Sequence, residues 1–268
     1  MAQSETHKQA RWRLGVVSYL NSRPLVEGLD ADPQVEMTFE VPARLASLLD
    51  EKRVDVALVP VVDLVRNNRA WQIVSDACIG CDGETLTVRV FSRANPETIR
   101  RLHVDGDSHT SVLLATVLWK ARYGTDLDIV PLQPETPRDE CEAILLIGDK
   151  VVNNDLLEFE TETDLGSAWK SLTGLPFVFA VWAAPAELDV RDVAAKLAQA
   201  RDAGVQVAGM IAADYGPGLG FPVRVATRYL TSRLKFTLGA RQRAGMERFF
   251  ELAKVYGLVS TEKELLFA

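Results

Sequence analysis

Three short polar stretches carry side chains able to hold or rearrange a small acid. The first, residues 18–24, offers the Asn21 amide, the Ser22 hydroxyl and the Arg23 guanidinium close behind Ser18. A primary amide donates and accepts at once, which suits a carboxylate or a departing hydroxyl. The second, Asp107-Ser108-His109-Thr110-Ser111, precedes an apolar-periodic run. At such a helix start, unpaired N–H groups and the positive end of the helix dipole favour an anion. Ordinary N-capping by Ser108 or Thr110 accounts for the same spacing, and His109 then reads as a surface residue. The third is Thr87 with Arg89, a hydroxyl and a guanidinium on one face of an alternating run. A half-buried strand with a solvated polar face accounts for that alternation equally well.

These loops need elements to hold them. Residues 13–18 form an apolar run that gives way to the first loop, as a buried strand would. Pro42 stands where a first helical residue would, and Leu45, Leu48 and Leu49 follow at helical spacing, so residues 42–50 read as an amphipathic helix. The continuous apolar run 54–59, stopped by Pro60, reads as a strand buried on both faces and completes a parallel unit. Strict alternation over residues 85–91 predicts a strand that places Thr85, Thr87, Arg89 and Phe91 on one face.

Further on, residues 102–104, 127–130 and 143–147 read as strands, with a helix from Val112 to a stop at Gly124. A short helix from Asp164 ends at Thr173-Gly174, and the apolar run 177–182 reads as a strand returning to the first lobe. Helical periodicity over residues 190–203 and 239–256, stopped by Gly257, makes the last third mostly helical. The expectation is a two-lobed α/β fold. Residues 12–92 together with 178–268 form a discontinuous lobe, residues 93–177 an inserted one, and two crossover strands form a hinge. In open α/β sheets ligands lie beyond the carboxyl ends of the strands, which is where all three polar loops fall.

With 30 Lys and Arg against 37 Asp and Glu, the chain has a net charge of −7 and no basic field to recruit nucleic acid or an anionic membrane. Any anion must be held locally. No apolar run approaches the ~20 residues of a membrane span, and residues 1–11 lack the apolar stretch of a secretion signal, so the chain reads as cytoplasmic. The lone pair Cys78-Ile79-Gly80-Cys81 reads as small residues ending a buried strand rather than a metal or redox site. Nucleotide, zinc-peptidase and serine-hydrolase motifs are absent. The residues by themselves point to a cleft for a small acid, with enzyme and carrier both open.

Several longer motifs go further. Ser18-Tyr19-Leu20-Asn21-Ser22-Arg23-Pro24-Leu25, Ile147-Gly148-Asp149, Asp164-Leu165-Gly166 leading to Trp169, and Thr173-Gly174-Leu175-Pro176-Phe177-Val178-Phe179-Ala180-Val181-Trp182 resemble chorismate dehydratase of the futalosine route to menaquinone. The resemblance runs from about residue 12 to near the end of the chain. It implies the type II periplasmic-binding-protein-like fold and a cytoplasmic hydro-lyase. The implied reaction turns chorismate into 3-[(1-carboxyvinyl)oxy]benzoate and water, with no metal or organic cofactor. It assigns catalysis to Asn21 and to the position of Thr87, where the family carries Ser. Thr keeps the hydroxyl and loses rotamer freedom. His109 stands where the family often has Arg. Together with the polar loops, the resemblance marks Ser18, Ser22, Arg23, Arg89, Ser108, Thr110, Ser111 and Asp149 as substrate-binding. Two other readings compete: a cytoplasmic protein that binds an aromatic carboxylate without changing it, and the related enzyme that makes 1,4-dihydroxy-6-naphthoate. Residues 18–25 and 177–182 favour the dehydratase.

Overall fold

In the computed structural model, which describes residues 11–152, 159–259 and 263–268, the chain builds two sheets. The apolar run after Arg11 becomes β1 (Trp12–Val17), and β2 (Val35–Glu40) returns parallel to it. Helix α1 (Pro42–Asp50) starts on its proline and buries Leu45, Leu48 and Leu49, as their spacing requires. Strand β3 (Val56–Pro60) is buried throughout, and α2 (Val61–Arg66) follows directly. The long strand β4 (Trp71–Cys81) ends this segment with Cys78 and Cys81 as free, fully buried thiols. Burial pushes both thiols up, Cys78 to about 12, so they are inert core residues.

The chain then crosses into a second sheet. This comes earlier than the alternation of residues 85–91 suggests. Thr85 and Thr87 are not in a strand: Leu86 has φ +73°, and the Thr85 hydroxyl accepts from the N–H groups of Thr87 and Val88 at 3.1 and 2.9 Å. Asp164 accepts from the Thr85 and Leu86 N–H groups at 3.0 and 2.9 Å. These local acceptors replace a ladder with a tight turn, and β5 (Val88–Ser92) begins only after it. Strand β5 pairs with strands of the second sheet, so residues 88–92 lie in the second lobe and not, as expected, in the first.

That lobe continues with β6 (Arg101–Val104), α3 (His109–Tyr123), β7 (Asp128–Pro131), β8 (Ala143–Ile147), β9 (Thr161–Asp164) and α4 (Leu165–Thr173). Its strand order is β7-β6-β8-β5-β9. Ser108 caps α3 by accepting from the Ser111 N–H, Asp164 caps α4 in the same way through Ser167, and Gly124 and Gly174 end the two helices in left-handed geometry.

Strand β10 (Phe177–Pro185) carries the chain back between β3 and β4. Phe177 pairs with Cys81, so the outgoing and returning crossings lie side by side. The remainder is helical apart from two short strands: α5 (Arg191–Gln206), α6 (Ala208–Tyr215), α7 (Val223–Arg228), a π-helical turn at Tyr229–Arg233, β11 (Leu234–Thr237), α8 (Ala240–Val255) and β12 (Leu266–Phe267). The first sheet runs β11-β4-β10-β3-β1-β2, with β12 also on β4. Trp169, Phe177 and Phe249, edge to face and fully buried, join α4, β10 and α8 where the two lobes meet. No helix among the described residues is long and apolar enough to cross a membrane.

Candidate active site between the lobes

The lobes face each other across a cavity with about 490 Å³ of empty space, part of it open to solvent. Val17, Ile79, Phe179 and Leu234 from the first lobe and Val88 and Ile147 from the second make much of its wall apolar. The starts of three helices reach it through Pro42 of α1, Pro60 before α2, and Ser108 and Ser111 of α3. Among the described residues, none of the side chains lining the cavity is cationic. An anion held here depends on N–H groups, hydroxyls and helix dipoles rather than on an ion pair.

The polar centre consists of Asn21, Thr87 and Tyr229. Asn21 sits in a 3-10 helix (Leu20–Leu25) that follows β1 directly, and its Oδ1 is buried without a hydrogen-bond partner. Thr87, 2% exposed, is held by the turn before β5, and its hydroxyl lies 2.6 Å from that of Tyr229. Tyr229 is 1% exposed and stacks on Phe221 at 5.8 Å between ring centroids. It opens the π-helical turn, a wider winding often found at functional sites. At the other end of that turn Arg233 pairs with Glu84 at 2.6 Å, so both ends grip the crossing segment. Burial pushes the Tyr229 phenol well above its ordinary range, opposed by the hydrogen bond with Thr87 and by the nearby Asn21 amide.

Around this centre a set of contacts joins the lobes. Tyr19 donates to Asp107 at 2.6 Å, and Lys150 pairs with both Asp107 and Asp105. The Ala43 N–H donates to the Asp107 carbonyl at 3.0 Å, and that of Val62 to the Thr110 hydroxyl at 3.3 Å. The Leu20 N–H donates to both Asp149 oxygens, at 3.2 and 3.3 Å. His109 Nδ1 meets Asp63 at 2.8 Å. That bond raises the His109 pKa against the opposing effect of burial. Burial pushes the Asp149 carboxyl up to about 6, although the Leu20 N–H and the Arg23 charge act the other way. Gly148 has φ +60°, and a Cβ there would stand 2.6 Å from the Tyr19 ring, so the approach of the two lobes requires glycine twice over.

The structure brings four of the expected side chains to the cavity: Asn21, Thr87, Ser108 and Ser111. The others do not line it. Ser22 is fully buried and donates to the carbonyls of Val17 and Tyr19, which fixes the loop rather than a ligand. Ser18 is half-buried, with its N–H donating to the Glu40 carbonyl. Arg23 lies between the rings of Phe39 and Tyr215, 4.6 and 4.8 Å from their centroids. Arg89 is taken up by Glu84 and Glu162 at 3.0 and 2.8 Å. The turn at Leu86 breaks the alternation that would have put Arg89 beside Thr87. Thr110 and Asp149 join the lobes through backbone N–H groups instead of facing the cavity. Nothing local to Tyr229 in the sequence signals a site, because its partner Thr87 is 142 positions away. Tyr19 lies within the first motif, and only the fold brings it to the cavity.

Known proteins share this fold. An Archaeoglobus fulgidus protein of known structure matches with a TM-score of 0.73 and 15% identity, covering 94% of this chain and 100% of that one. The periplasmic aliphatic sulphonate binding protein of Escherichia coli matches with a TM-score of 0.62 and 15% identity over 96% and 95% of the two chains. A Candida albicans protein described as having the generic periplasmic binding protein fold matches at 0.63 and 13% over 91% and 90%. The fold is thus the two-lobed type II periplasmic-binding-protein-like one. Among curated proteins, chorismate dehydratase of Thermus thermophilus is 27% identical over 194 residues, 63% of this chain and 68% of that protein. Residues 12–255, which span both lobes and every side chain of the polar centre, match the family described as menaquinone biosynthesis, and the chain belongs to that family.

Proposed function

We propose that the protein is a cofactor-independent chorismate dehydratase acting in the cytoplasm. The observation that carries this reading is that Asn21, with its Oδ1 unpartnered, and Thr87 line one apolar-walled cavity. The likeness to a chorismate dehydratase supports it. Chorismate is a cyclohexadiene with two carboxylates and a ring hydroxyl. Loss of a ring proton and of hydroxide from the neighbouring carbon makes the ring aromatic, so the reaction runs downhill. The site's task is to orient the departing groups and assist proton transfer.

Each part of the cavity has a role in that task. The apolar wall takes the ring, and the first turn of α3 with Ser108 and Ser111 receives a carboxylate. Asn21 and Thr87 hold the departing hydroxyl. Tyr19 and Tyr229 are the only titratable side chains lining the cavity among the described residues. Burial raises the pKa of both, so neither phenol ionises readily to serve as a base. The ring proton therefore goes to the substrate's own enolpyruvyl carboxylate. Incubation with chorismate, followed by NMR of the ring protons, tests this. New benzoate resonances are the expected result. Unchanged chorismate that nonetheless raises the melting temperature would instead support a carrier, the reading favoured by the many contacts that hold the lobes together.

A further inference from the structure

We infer that Tyr229 is a positioning residue that fixes the direction of the Thr87 hydroxyl, so that this donor faces the cavity beside the Asn21 Oδ1 acceptor and the pair fits a ligand hydroxyl. The Tyr229 hydroxyl has one proton, and the Thr87 hydroxyl, 2.6 Å away, is its hydrogen-bond partner among the described residues. Asn21 Oδ1 is buried without a partner, and Asn21 lines the same cavity. A phenol is a better donor than an aliphatic alcohol, so the Tyr229 proton goes to Thr87 Oγ1. The Thr87 proton is then free to point into the cavity.

With Tyr229 O–H donating to Thr87 Oγ1, the cavity is offered Thr87 O–H as donor beside Asn21 Oδ1 as acceptor. A carboxylate would meet repulsion at Oδ1. A hydroxyl satisfies both groups, and as its carbon–oxygen bond lengthens the growing negative charge strengthens the bond from Thr87. This inference rests on the dehydratase reading for the identity of that hydroxyl but not for the Tyr229–Thr87 hydrogen bond itself. Tyr229 does not touch the reacting atoms; it acts through Thr87.

Tyr229→Phe removes the hydroxyl and keeps the ring against Phe221. With chorismate as substrate, kcat falls roughly 10- to 100-fold, while KM stays within about threefold and the melting temperature is kept. In the double variant with Thr87→Val the loss does not exceed that of Thr87→Val alone, because both changes break one hydrogen bond. A kcat within about twofold of the parent, or a double variant whose loss is the product of the two single losses, overturns the inference. A second measurement needs neither turnover nor any substitution of Tyr229 itself. With tyrosine labelled at 13Cζ, the Tyr229 resonance is assigned by elimination among the five tyrosines, and it moves in Thr87→Val. If that substitution leaves it in place, Tyr229 does not donate to Thr87. Wild-type protein inert toward chorismate, but with this resonance change present, would defeat the dehydratase reading and leave the Tyr229 inference standing.

Discussion

Two sets of polar groups meet in the cleft, and they differ in how much of their hydrogen-bonding capacity is already in use. Asn21, Thr87 and Tyr229 are neutral, sit against apolar walls, and leave Asn21 Oδ1 without a partner. The contacts that join the lobes are mostly carboxylates with their partners in place: Asp107 with Tyr19, Asp149 with Leu20, Asp63 with His109. Burying an unsatisfied polar atom costs about 1–3 kcal/mol, which a protein bears where a ligand will complete the bond. The satisfied groups hold the lobes together and have nothing left to offer a substrate. Acidic residues can therefore surround a site for an acid, provided that their charges are bonded to the opposite lobe.

Substitutions can break this division. The largest effect is expected at the unsatisfied set. Asn21→Ala or Thr87→Val lowers chorismate turnover by ~100- to 1,000-fold, the scale for removing one donor at a developing charge, with little change in melting temperature. Full turnover in both variants would remove the polar centre from the chemistry.

Next comes Gly148→Ala, which places a Cβ against the Tyr19 ring and strains a φ of +60°. The closed arrangement is expected to lose about 1–3 kcal/mol, seen as a KM raised by about fivefold or more with a smaller change in kcat. Small-angle scattering should show the variant staying extended at substrate concentrations that compact the parent. Tyr19→Phe removes one satisfied contact only, so KM rises by several-fold, about 1 kcal/mol, and kcat is kept. A kcat loss as large as that of Asn21→Ala would merge the two sets into one.

The smallest effect concerns pH. Asp149 titrates at about 6 in the closed protein, above the ordinary carboxyl value of 3.8. Its charged form is therefore the disfavoured one, and the cost of burying it is absent below pH ~4, grows between about 4 and 6, and is complete above. His109 acts in the same sense. Its pKa is raised by Asp63, so its stabilising charge is full below its ordinary value of 6.5 and is lost as pH rises through the higher folded value. Acidification from about pH 7 to about 5.5 should then firm the closed state. Asp149→Asn keeps an acceptor for the Leu20 N–H and should flatten part of that rise, read as melting temperature against pH. An unchanged slope would place Asp149 outside the pH response.

Most of the elements were legible because their causes are local. The proline start and leucine spacing of residues 42–50 delimit α1 at both ends, and the apolar run from Phe177 is the strand that returns to the first sheet. Residues 85–91 misled for a reason that is equally physical. Their alternation is real, but the Thr85 hydroxyl and the Asp164 carboxylate capture the N–H groups a strand would need, and Asp164 is 79 positions from Thr85. The same turn sends Arg89 to Glu84 and Glu162 and shifts the crossing ahead of residue 88.

By itself the sequence determined the type of fold, the return strand and the loop that carries Asn21, since periodicity, caps and a contiguous motif act over a few residues. Only the tertiary structure decided which side chains share the cavity. Ser22 and Arg23 adjoin Asn21 in sequence yet are bound elsewhere, whereas Tyr229 reaches Thr87 because a π-helical turn beside β11 packs on the crossing segment. Which polar atoms end up without partners depends on every neighbour brought within about 3 Å of them, and most of those neighbours are distant along the chain.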